Sequence, residues 1–311
     1  MRSFPAASRT SKFRVASLIA LVLWTAPVFS QEQPEDFTTQ SNVKLDPVQS
    51  VTDPELGAVQ GIVVRDGKVY AYGDRVHASP RTGVVREYDL NLRATGRTLL
   101  LNRHGVPLII HPTGLTWNER WGTFLGDTVK KKATVYRLDW EKAWQDGNLD
   151  RAVLDTLDDD VAINGCRPLF VQLDGRTLLA TADYGDIRPE LRLYDPEAFL
   201  AQGRSSAPKV VLHRVLCGPF NQNLAWDERA GTLTCVQNVI EGKGWRLDRL
   251  DLSKAVADGR VDGTGVRQEL LTFPYADELE GFWQVDDKQV LFAAARRRDN
   301  LVLGAIQASR P

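Results

Sequence analysis

Apolar residues recur along this chain in short runs that alternate with polar turns, and the order of the runs repeats. The clearest copy is Asn221–Asp251, where a first apolar strand ends at Trp226. A polar turn follows at 227–230, then a second apolar run at 231–236 and a third strand at 245–252. Short apolar runs that are separated by turn residues are typical of β-strands. The pattern therefore predicts a unit of consecutive antiparallel strands.

The same order of parts occurs five times along the sequence. The copies begin at Gly61, Gly114, Pro168, Asn223 and Gly281, which lie 53, 54, 55 and 58 residues apart. A near-constant period of this kind is typical of repeated supersecondary units. We therefore predict an all-β fold, a five-bladed β-propeller that is built from four-stranded antiparallel blades.

The last repeat differs from the others because the chain ends after its third predicted strand. In the other repeats a fourth strand is predicted at 97–101, 151–157, 209–215 and 267–273. The alternating apolar residues of Val43–Val51 predict one more strand, which has no blade of its own. We expect this N-terminal strand to complete the last blade and close the ring, so that no sheet edge remains open.

Three repeats carry a short insert between the third and fourth strands. Each insert follows an aspartate and ends at a glycine, which is the usual punctuation of a helix. The pairs are Asp139 with Gly147, Asp195 with Gly203, and Asp251 with Gly259. We predict three short helices at the outer rim, with their aromatic residues packed onto the blades.

The N-terminus has a different pattern. Basic residues precede an apolar run at 15–24, and the small residues Val28 and Ser30 follow. This is the pattern of a secretory signal peptide that is cleaved near Ser30. An uncleaved anchor is the alternative, although a bilayer span needs about 20 apolar residues. We predict a signal peptide at 1–30, a polar leader at 31–42 and a single propeller domain at 43–311, in a secreted or periplasmic monomer without a membrane span.

Charge and cysteine content narrow the possible partners. Loss of residues 1–30 reduces the 39 Lys and Arg residues to 35, against 40 Asp and Glu, which argues against nucleic acid as a partner. The three cysteines are odd in number and have no CxxC spacing, which argues against a zinc site. In an oxidising compartment we expect Cys166 and Cys217 to form a disulfide, and Cys235 to be a buried strand residue.

Polar residues recur at the two strand ends that should meet near the central axis. The first strand of each blade is innermost, so its start and the end of the second strand share one mouth of the channel. The residues before the first strands are Gln60, Thr113, Arg167, Gln222 and Glu280. Those that close the second strands are Asp74, Asp127, Asp183, Asn238 and Arg296. His111, Asn164 and Glu278 lie in the loops that lead into the first strands.

This polar ring predicts a site for a small polar or anionic ligand in the central channel. The predicted ligand-binding residues are Gln60, His111, Thr113, Gln222 and Asn238. Carboxylate and amide oxygens are the ligands that Ca²⁺ prefers, and arginines suit an anionic group. We predict that Glu280, Asp74 and Asp183 could hold Ca²⁺.

Two classes of function follow from such a ring. In a metal-dependent hydrolase of small esters, lactones or phosphoesters, Asp127 or Asp183 would activate water and Arg167 or Arg296 would stabilise negative charge. Alternatively, each aspartate caps a turn, and the propeller is a non-catalytic scaffold for a saccharide, peptide or envelope partner. The sequence has no GxSxG, HExxH, P-loop or EF-hand motif.

The repeat over residues 43–307 resembles, in architecture, secreted propellers of the gluconolactonase and regucalcin-like group. That resemblance implies one divalent cation on the channel axis and hydrolysis of small esters or lactones. Gly73-Asp74-Arg75 and 82–88 are similar to the first-blade Asp-Arg-Thr-Gly run of calcium-activated nucleotidases, with 76–81 inserted between them. Leu279-Glu280-Gly281-Phe282 resembles a later Arg-Gly-Phe turn of that family, with Glu280 in place of the arginine. The second resemblance implies functional roles for Asp74 and Glu280.

Overall fold

A computed structural model describes residues 38–75, 78–187, 189–238, 245–260, 265–270, 278–296 and 298–308 of the 311-residue chain. These residues all belong to one compact unit that spans 34–311. The predicted signal peptide at 1–30 and the first part of the predicted leader lie outside the described residues. Within the described ranges, no helix is long and apolar enough to span a bilayer.

The strands form five four-stranded antiparallel sheets in a ring, which confirms the predicted five-bladed propeller. The first described strand is β1 (Thr38–Val51). Blade 1 contains β2 (Leu56–Arg65), β3 (Lys68–Arg75), β4 (Gly83–Asp89) and β5 (Ala94–Leu100). A small hairpin, β6 (Asn102–Arg103) and β7 (Val106–Pro107), leads to blade 2. Blade 2 contains β8 (Pro112–Asn118), β9 (Gly122–Val129), β10 (Lys132–Leu138) and β11 (Val153–Asp158).

The other three blades repeat the same order. Blade 3 contains β12 (Leu169–Leu173), β13 (Arg176–Ala182), β14 (Glu190–Tyr194) and β15 (Val211–Leu216). Blade 4 contains β16 (Asn221–Asp227), β17 (Thr232–Gln237), β18 (Trp245–Asp251) and β19 (Gly265–Leu270). Blade 5 contains β20 (Glu278–Gln284), β21 (Val290–Ala295), β22 (Leu301–Ala308) and β1.

The N-terminal strand closes the ring as predicted. It pairs antiparallel with β22, from Val43 opposite Ala308 to Val51 opposite Leu301. The strand begins five residues earlier than expected, at Thr38, because Thr38–Gln40 also pair in parallel with β19 of blade 4. A single strand thereby joins blades 4 and 5 into one eight-stranded sheet.

The three predicted helices are present, and the same end signals define each of them. They are α1 (Trp140–Asp146), α2 (Pro196–Gln202) and α3 (Leu252–Asp258). The aspartate before each helix accepts a backbone N–H of the first turn, and the glycine after it has φ between 68° and 73°. Trp140 and Trp144 of α1 pack against Tyr70, with ring centroids 5.2 and 5.6 Å away. These aromatic residues therefore attach the helix to blade 1, as predicted.

Five apolar clusters stabilise the ring, and each lies between two neighbouring blades. The cysteines belong to these clusters. Cys166 lies between blades 2 and 3, whereas Cys217 and Cys235 lie between blades 3 and 4. All three are buried, free thiols. The prediction of a Cys166–Cys217 disulfide is therefore wrong, because the two residues pack on opposite faces of blade 3, while the burial of Cys235 is confirmed.

The innermost strands approach one another closely at the starting residues of the repeats. A Cβ atom added to Gly281 would lie 2.7 Å from the backbone N of Ile62, and one added to Gly114 would lie 2.7 Å from the Cδ of Pro168. Asn223 takes the equivalent place in blade 4 and donates hydrogen bonds to the carbonyls of Gln60 and Glu280. Glycine is thus required here by proximity to backbone rather than by φ.

Removal of residues 38–51 should abolish cooperative unfolding. Blade 5 would keep three strands, and the edges of β19 and β22 would both be exposed. Thermal melting followed by circular dichroism would measure this, with Val48→Thr as the control because Val48 is 66% exposed within the same strand. A truncated chain that melts like the full-length protein would contradict the closure.

Gly281→Ala should destabilise the ring by about 2 kcal/mol or more, because its new methyl group meets the backbone of the next blade. Gly175→Ala is the matched control. Gly175 has open space around its Cα and φ of 73°, so only the cost of the left-handed conformation, about 1 kcal/mol, should remain. Urea denaturation measures both, and equal losses would show that the axis is not tightly packed.

Candidate functional site

A polar cavity of about 270 Å³ lies at the mouth of the channel where the first strands begin. Five residues of the predicted ring line it, together with three residues of the loops before the first strands and two others. The lining residues are Gln60, His111, Thr113, Thr128, Asn164, Arg167, Tyr184, Gln222, Glu278 and Glu280. The structure therefore brings together residues from all five blades at the end of the channel where the sequence placed them.

Four of these side chains are placed by β-bulges. The pairing between first and second strands skips Gln60 in blade 1, Thr113 in blade 2, Gln222 in blade 4 and Glu280 in blade 5. A bulge leaves one residue without a ladder partner and turns its side chain away from the regular alternation. Repetition of the same irregularity in four blades thus gives the cavity one polar side chain from each.

Arg167, Gln222 and Glu280 form a connected group in the cavity wall. The Nε of Arg167 donates to the backbone oxygen of Gln222 at 3.0 Å, and its Nη2 lies 3.5 Å from the Oε1 of Gln222. The Nε2 of Gln222 then donates to the Oε1 of Glu280 at 3.1 Å. The amide of Gln222 therefore connects the guanidinium to the carboxyl group.

Each end of this group has one polar atom without a hydrogen-bond partner among the described residues. These atoms are Nη1 of Arg167 and Oε2 of Glu280, and both residues are at most 4% exposed. A buried polar group without a partner is costly, so such groups in a cavity wall indicate that a ligand or water completes them. The guanidinium of Arg167 also lies over the ring of Tyr184, 5.6 Å from its centroid.

Burial alters the acidity of the groups in this cavity. It raises the pKa of Glu280 well above its ordinary 4.5, and the neighbouring carboxyl group of Glu278 raises it further. The pKa of Tyr184 is also raised, first by burial and then by the two glutamates. Burial lowers the pKa of Arg167. Burial and the neighbouring carboxyl group of Glu278 therefore both favour the neutral form of Glu280.

Three predicted acids lie outside the cavity lining, and each is already bonded to protein groups. Asp74 contacts Arg81 and the His111 ring. Asp127 accepts the backbone N–H of His111 at 2.8 Å, and burial raises its pKa to about 6. Asp183 accepts two backbone N–H groups of the loop before β12 and pairs with buried Arg192.

Asn238 and Arg296 also lie outside the lining. Asn238 accepts the backbone N–H of Leu279 at 2.8 Å and so joins blade 4 to blade 5. The Nε of Arg296 donates to the carbonyl of Asp299 at 2.7 Å within its own loop. The predicted catalytic and binding roles of these outer residues stay predictions.

The carboxylates expected to bind Ca²⁺ are dispersed. Asp74 and Asp183 each pair with an arginine, and Glu280 is favoured in its protonated form. Across the described part of the chain, no three His, Cys, Asp or Glu side chains converge as metal ligands. These donors, as they are bonded here, do not fit a hard cation that requires several free oxygens.

Thr128 and Tyr184 line the cavity although the sequence did not single them out. Each directly follows the aspartate that closes the second strand of its blade, Asp127 or Asp183. The position directly after this aspartate is therefore the signal in the sequence that both residues share.

Comparison with known proteins reveals only distant likeness. No protein-family model matches the chain, and no curated protein matches its sequence. The chain is similar to a PQQ-bound aldose sugar dehydrogenase from Streptomyces coelicolor, with 15% identity, a TM-score of 0.48, and coverage of 86% of this chain and 99% of that one. It is also similar to the α-L-arabinofuranosidase PaAbf62A from Podospora anserina, solved with cellotriose, at 10% identity, a TM-score of 0.47, and 86% and 96% coverage.

A third similar structure is hydrazine synthase from Kuenenia stuttgartiensis, at 10% identity and a TM-score of 0.40, over 79% of this chain. This chain spans 58% of the length of that one. At such identities and scores, the similarity carries no inference about chemistry.

Glu280→Gln should stabilise the protein at about pH 8 and have little effect at about pH 4. Because the pKa of Glu280 is raised on folding, the folded protein keeps a proton that the unfolded chain has already released. The free energy of unfolding of the wild type therefore falls as pH rises from 4.5 to the folded-state pKa, by about 1.4 kcal/mol per pH unit. Glutamine lacks this penalty because it cannot ionise. Melting temperatures across the pH range measure the effect, with exposed Glu141→Gln as the control. A difference between Glu280→Gln and wild type that does not change with pH would refute the raised pKa.

Proposed function

We propose that the polar cavity is the active site of a hydrolase that acts on a small ester or lactone carrying an anionic group. The observation that carries this proposal is the connected pair Arg167 and Glu280, buried in the cavity wall with one unpartnered atom each. One atom is a cationic donor that suits a carboxylate or phosphate group. The other belongs to a carboxyl group whose raised pKa favours the protonated form that a general acid requires.

Glu278 is the base in this proposal. Its side chain lines the cavity and is more exposed than that of Glu280, so it can contact water, whereas burial favours the neutral form of Glu280. Glu278 removes a proton from water as the water oxygen bonds to the carbonyl carbon of the substrate. Glu280 then gives its proton to the leaving alcohol oxygen as that carbon–oxygen bond breaks. The proton gained by Glu278 passes to Glu280, which restores both groups.

Arg167 positions the substrate in this scheme. Its two bonds to Gln222 fix the guanidinium, and the ring of Tyr184 lies under it. A fixed cation in a dry site binds an anionic group without reorganisation, which favours one orientation of the substrate. The remaining amide and hydroxyl groups of the wall, Gln60 and Thr113, are suited to bind the hydroxyl groups of a small polar molecule.

The base of this mechanism differs from the base that was expected from the sequence. Asp127 and Asp183 are bonded to backbone amides behind the cavity, whereas Glu278 is in its lining. The signal-peptide pattern of residues 1–30 supports placing this hydrolase outside the cytoplasm.

A non-catalytic binding propeller is the second candidate. The rigid Arg167 favours it, because a fixed guanidinium binds an anion whether or not a reaction follows. In that case the same small anions should bind to the cavity and remain unchanged.

The test is hydrolysis of a panel of small hydroxy-acid lactones and p-nitrophenyl esters that carry a carboxylate group, with binding measured by calorimetry. Glu280→Gln should lower kcat by roughly a hundredfold or more while retaining binding, because glutamine keeps the bond to Gln222 but cannot donate a proton. Arg167→Met should mainly raise KM. In the wild type, kcat should fall as pH rises through the raised pKa of Glu280.

Glu141→Gln, on the outer helix, is the matched control and should behave like the wild type. We expect EDTA and added Ca²⁺ to leave rate and melting temperature unchanged, because the expected ligands Asp74 and Asp183 pair with arginines. An increase in rate or in melting temperature on addition of Ca²⁺ would favour the metal-dependent mechanism instead. Binding without turnover, unaffected by Glu280→Gln, would favour the non-catalytic candidate.

A further inference from the structure

A second cavity, of about 390 Å³, lies at the opposite end of the first strands. None of its lining residues also lines the polar cavity. Between the two cavities, the hydroxyl group of Tyr72 accepts a hydrogen bond from the side chain of Asn223, and both side chains are buried at the axis. The ring therefore carries two separate cavities, one at each end of its axis.

Four aromatic side chains lie in the wall of this second cavity. Trp117 and Trp226 stand three residues after the starting residues of their repeats, and Trp283 stands two residues after its own. All three tryptophans are half-buried, and the rings of Trp117 and Trp283 are nearly parallel, 22° apart with centroids 6.4 Å apart. Phe170 completes the aromatic wall from blade 3.

The wall also contains an unsatisfied donor. The indole N–H of Trp226 is buried and has no acceptor among the described residues. Amide and carboxylate side chains surround the aromatic wall at the rim. The lining also includes the ion pair between Asp227 and Arg229. The polar lining residues are Asn118, Gln172, Asp227, Glu228, Arg229 and Gln284. The cavity thus combines flat apolar faces, a free N–H donor and a rim with groups of both signs.

We propose that this cavity binds a pyranose ring of a saccharide. A pyranose has an apolar C–H face, which suits the electron-rich face of an indole, and a polar edge of hydroxyl groups, which suits amides and carboxylates. A hydroxyl oxygen of the sugar would accept the free N–H of Trp226. The volume lies within the roughly 300–1,000 Å³ of small-molecule sites and suits one or two sugar rings.

The charged residues of the rim are two acids, Asp227 and Glu228, and one base, Arg229, a balance that disfavours an anionic ligand and is compatible with a neutral one. Asp227 is 3.7 Å from the guanidinium of neighbouring Arg229, so the two charges largely compensate each other. The guanidinium of Arg65 already covers Trp117, 5.4 Å from its ring centroid, and leaves that face no room for a ligand cation. This site is independent of the proposed hydrolysis, because it shares no residue with the polar cavity.

Isothermal titration calorimetry of the full chain with glucose, N-acetylglucosamine, cellobiose and chitobiose tests the proposal. We expect saturable binding of at least one of these sugars at one site per chain. Trp226→Phe keeps an aromatic ring and removes the N–H, so affinity should fall about fivefold, as for one lost hydrogen bond. Gln172→Ala, an exposed change at the rim, should also weaken binding without affecting folding.

Trp144→Phe is the matched control. The indole N–H of Trp144 is likewise buried without a partner, but it lies on α1 against blade 1. It should leave sugar affinity unchanged. The proposal is overturned if no sugar binds saturably, if Trp226→Phe and Trp144→Phe weaken binding equally, or if phenol and indole bind where the sugars do not.

Discussion

Close approach of the five innermost strands is the constraint on which this structure depends. At the starting residues of the repeats, a Cβ on Gly281 would contact the backbone of Ile62, and Asn223 bonds to two other blades across the axis. Tyr72 fills the remaining space and is fully buried, which raises its pKa to about 12. The middle of the channel is therefore closed, and only its two ends can accept ligands.

The closed axis also explains why the two ends differ in chemistry. Toward one mouth, the chain reaches the axis through bulges, which turn single polar residues such as Gln222 and Glu280 inward. Toward the other, regular strands present large aromatic side chains such as Trp226 and Trp283. The blades that carry Gln222 and Glu280 are joined directly at the polar end, because Gln222 donates to Glu280 and Asn238 accepts the backbone N–H of Leu279.

The ring contains two kinds of buried charged group. Asp183 and Arg192 pair inside blade 3, beside Tyr194, and neither residue lines the polar cavity, although the Nη2 of Arg192 also has no hydrogen-bond partner. Arg167 and Glu280 instead meet through the amide of Gln222, and the unpartnered atom of each belongs to a residue of the cavity wall. Removing one partner of a closed buried pair leaves a costly charge, whereas an open pair is completed by what binds to it. This difference marks one group as structural and the other as a candidate site.

The sequence by itself determined the blades, the helices and the ring closure, because strand and cap signals are local and the repeat multiplies them. It also determined which residues reach the polar mouth, among them Gln60 and Glu280. Only the tertiary structure decided which of the polar residues are already bonded to protein groups. Asp183, for example, pairs with Arg192, which lies on a different strand. The tertiary structure likewise decided the cysteine pairing, since Cys166 packs on the other face of blade 3. Local pattern fixes position along a strand, whereas hydrogen-bond partners and burial depend on contacts between strands and between blades.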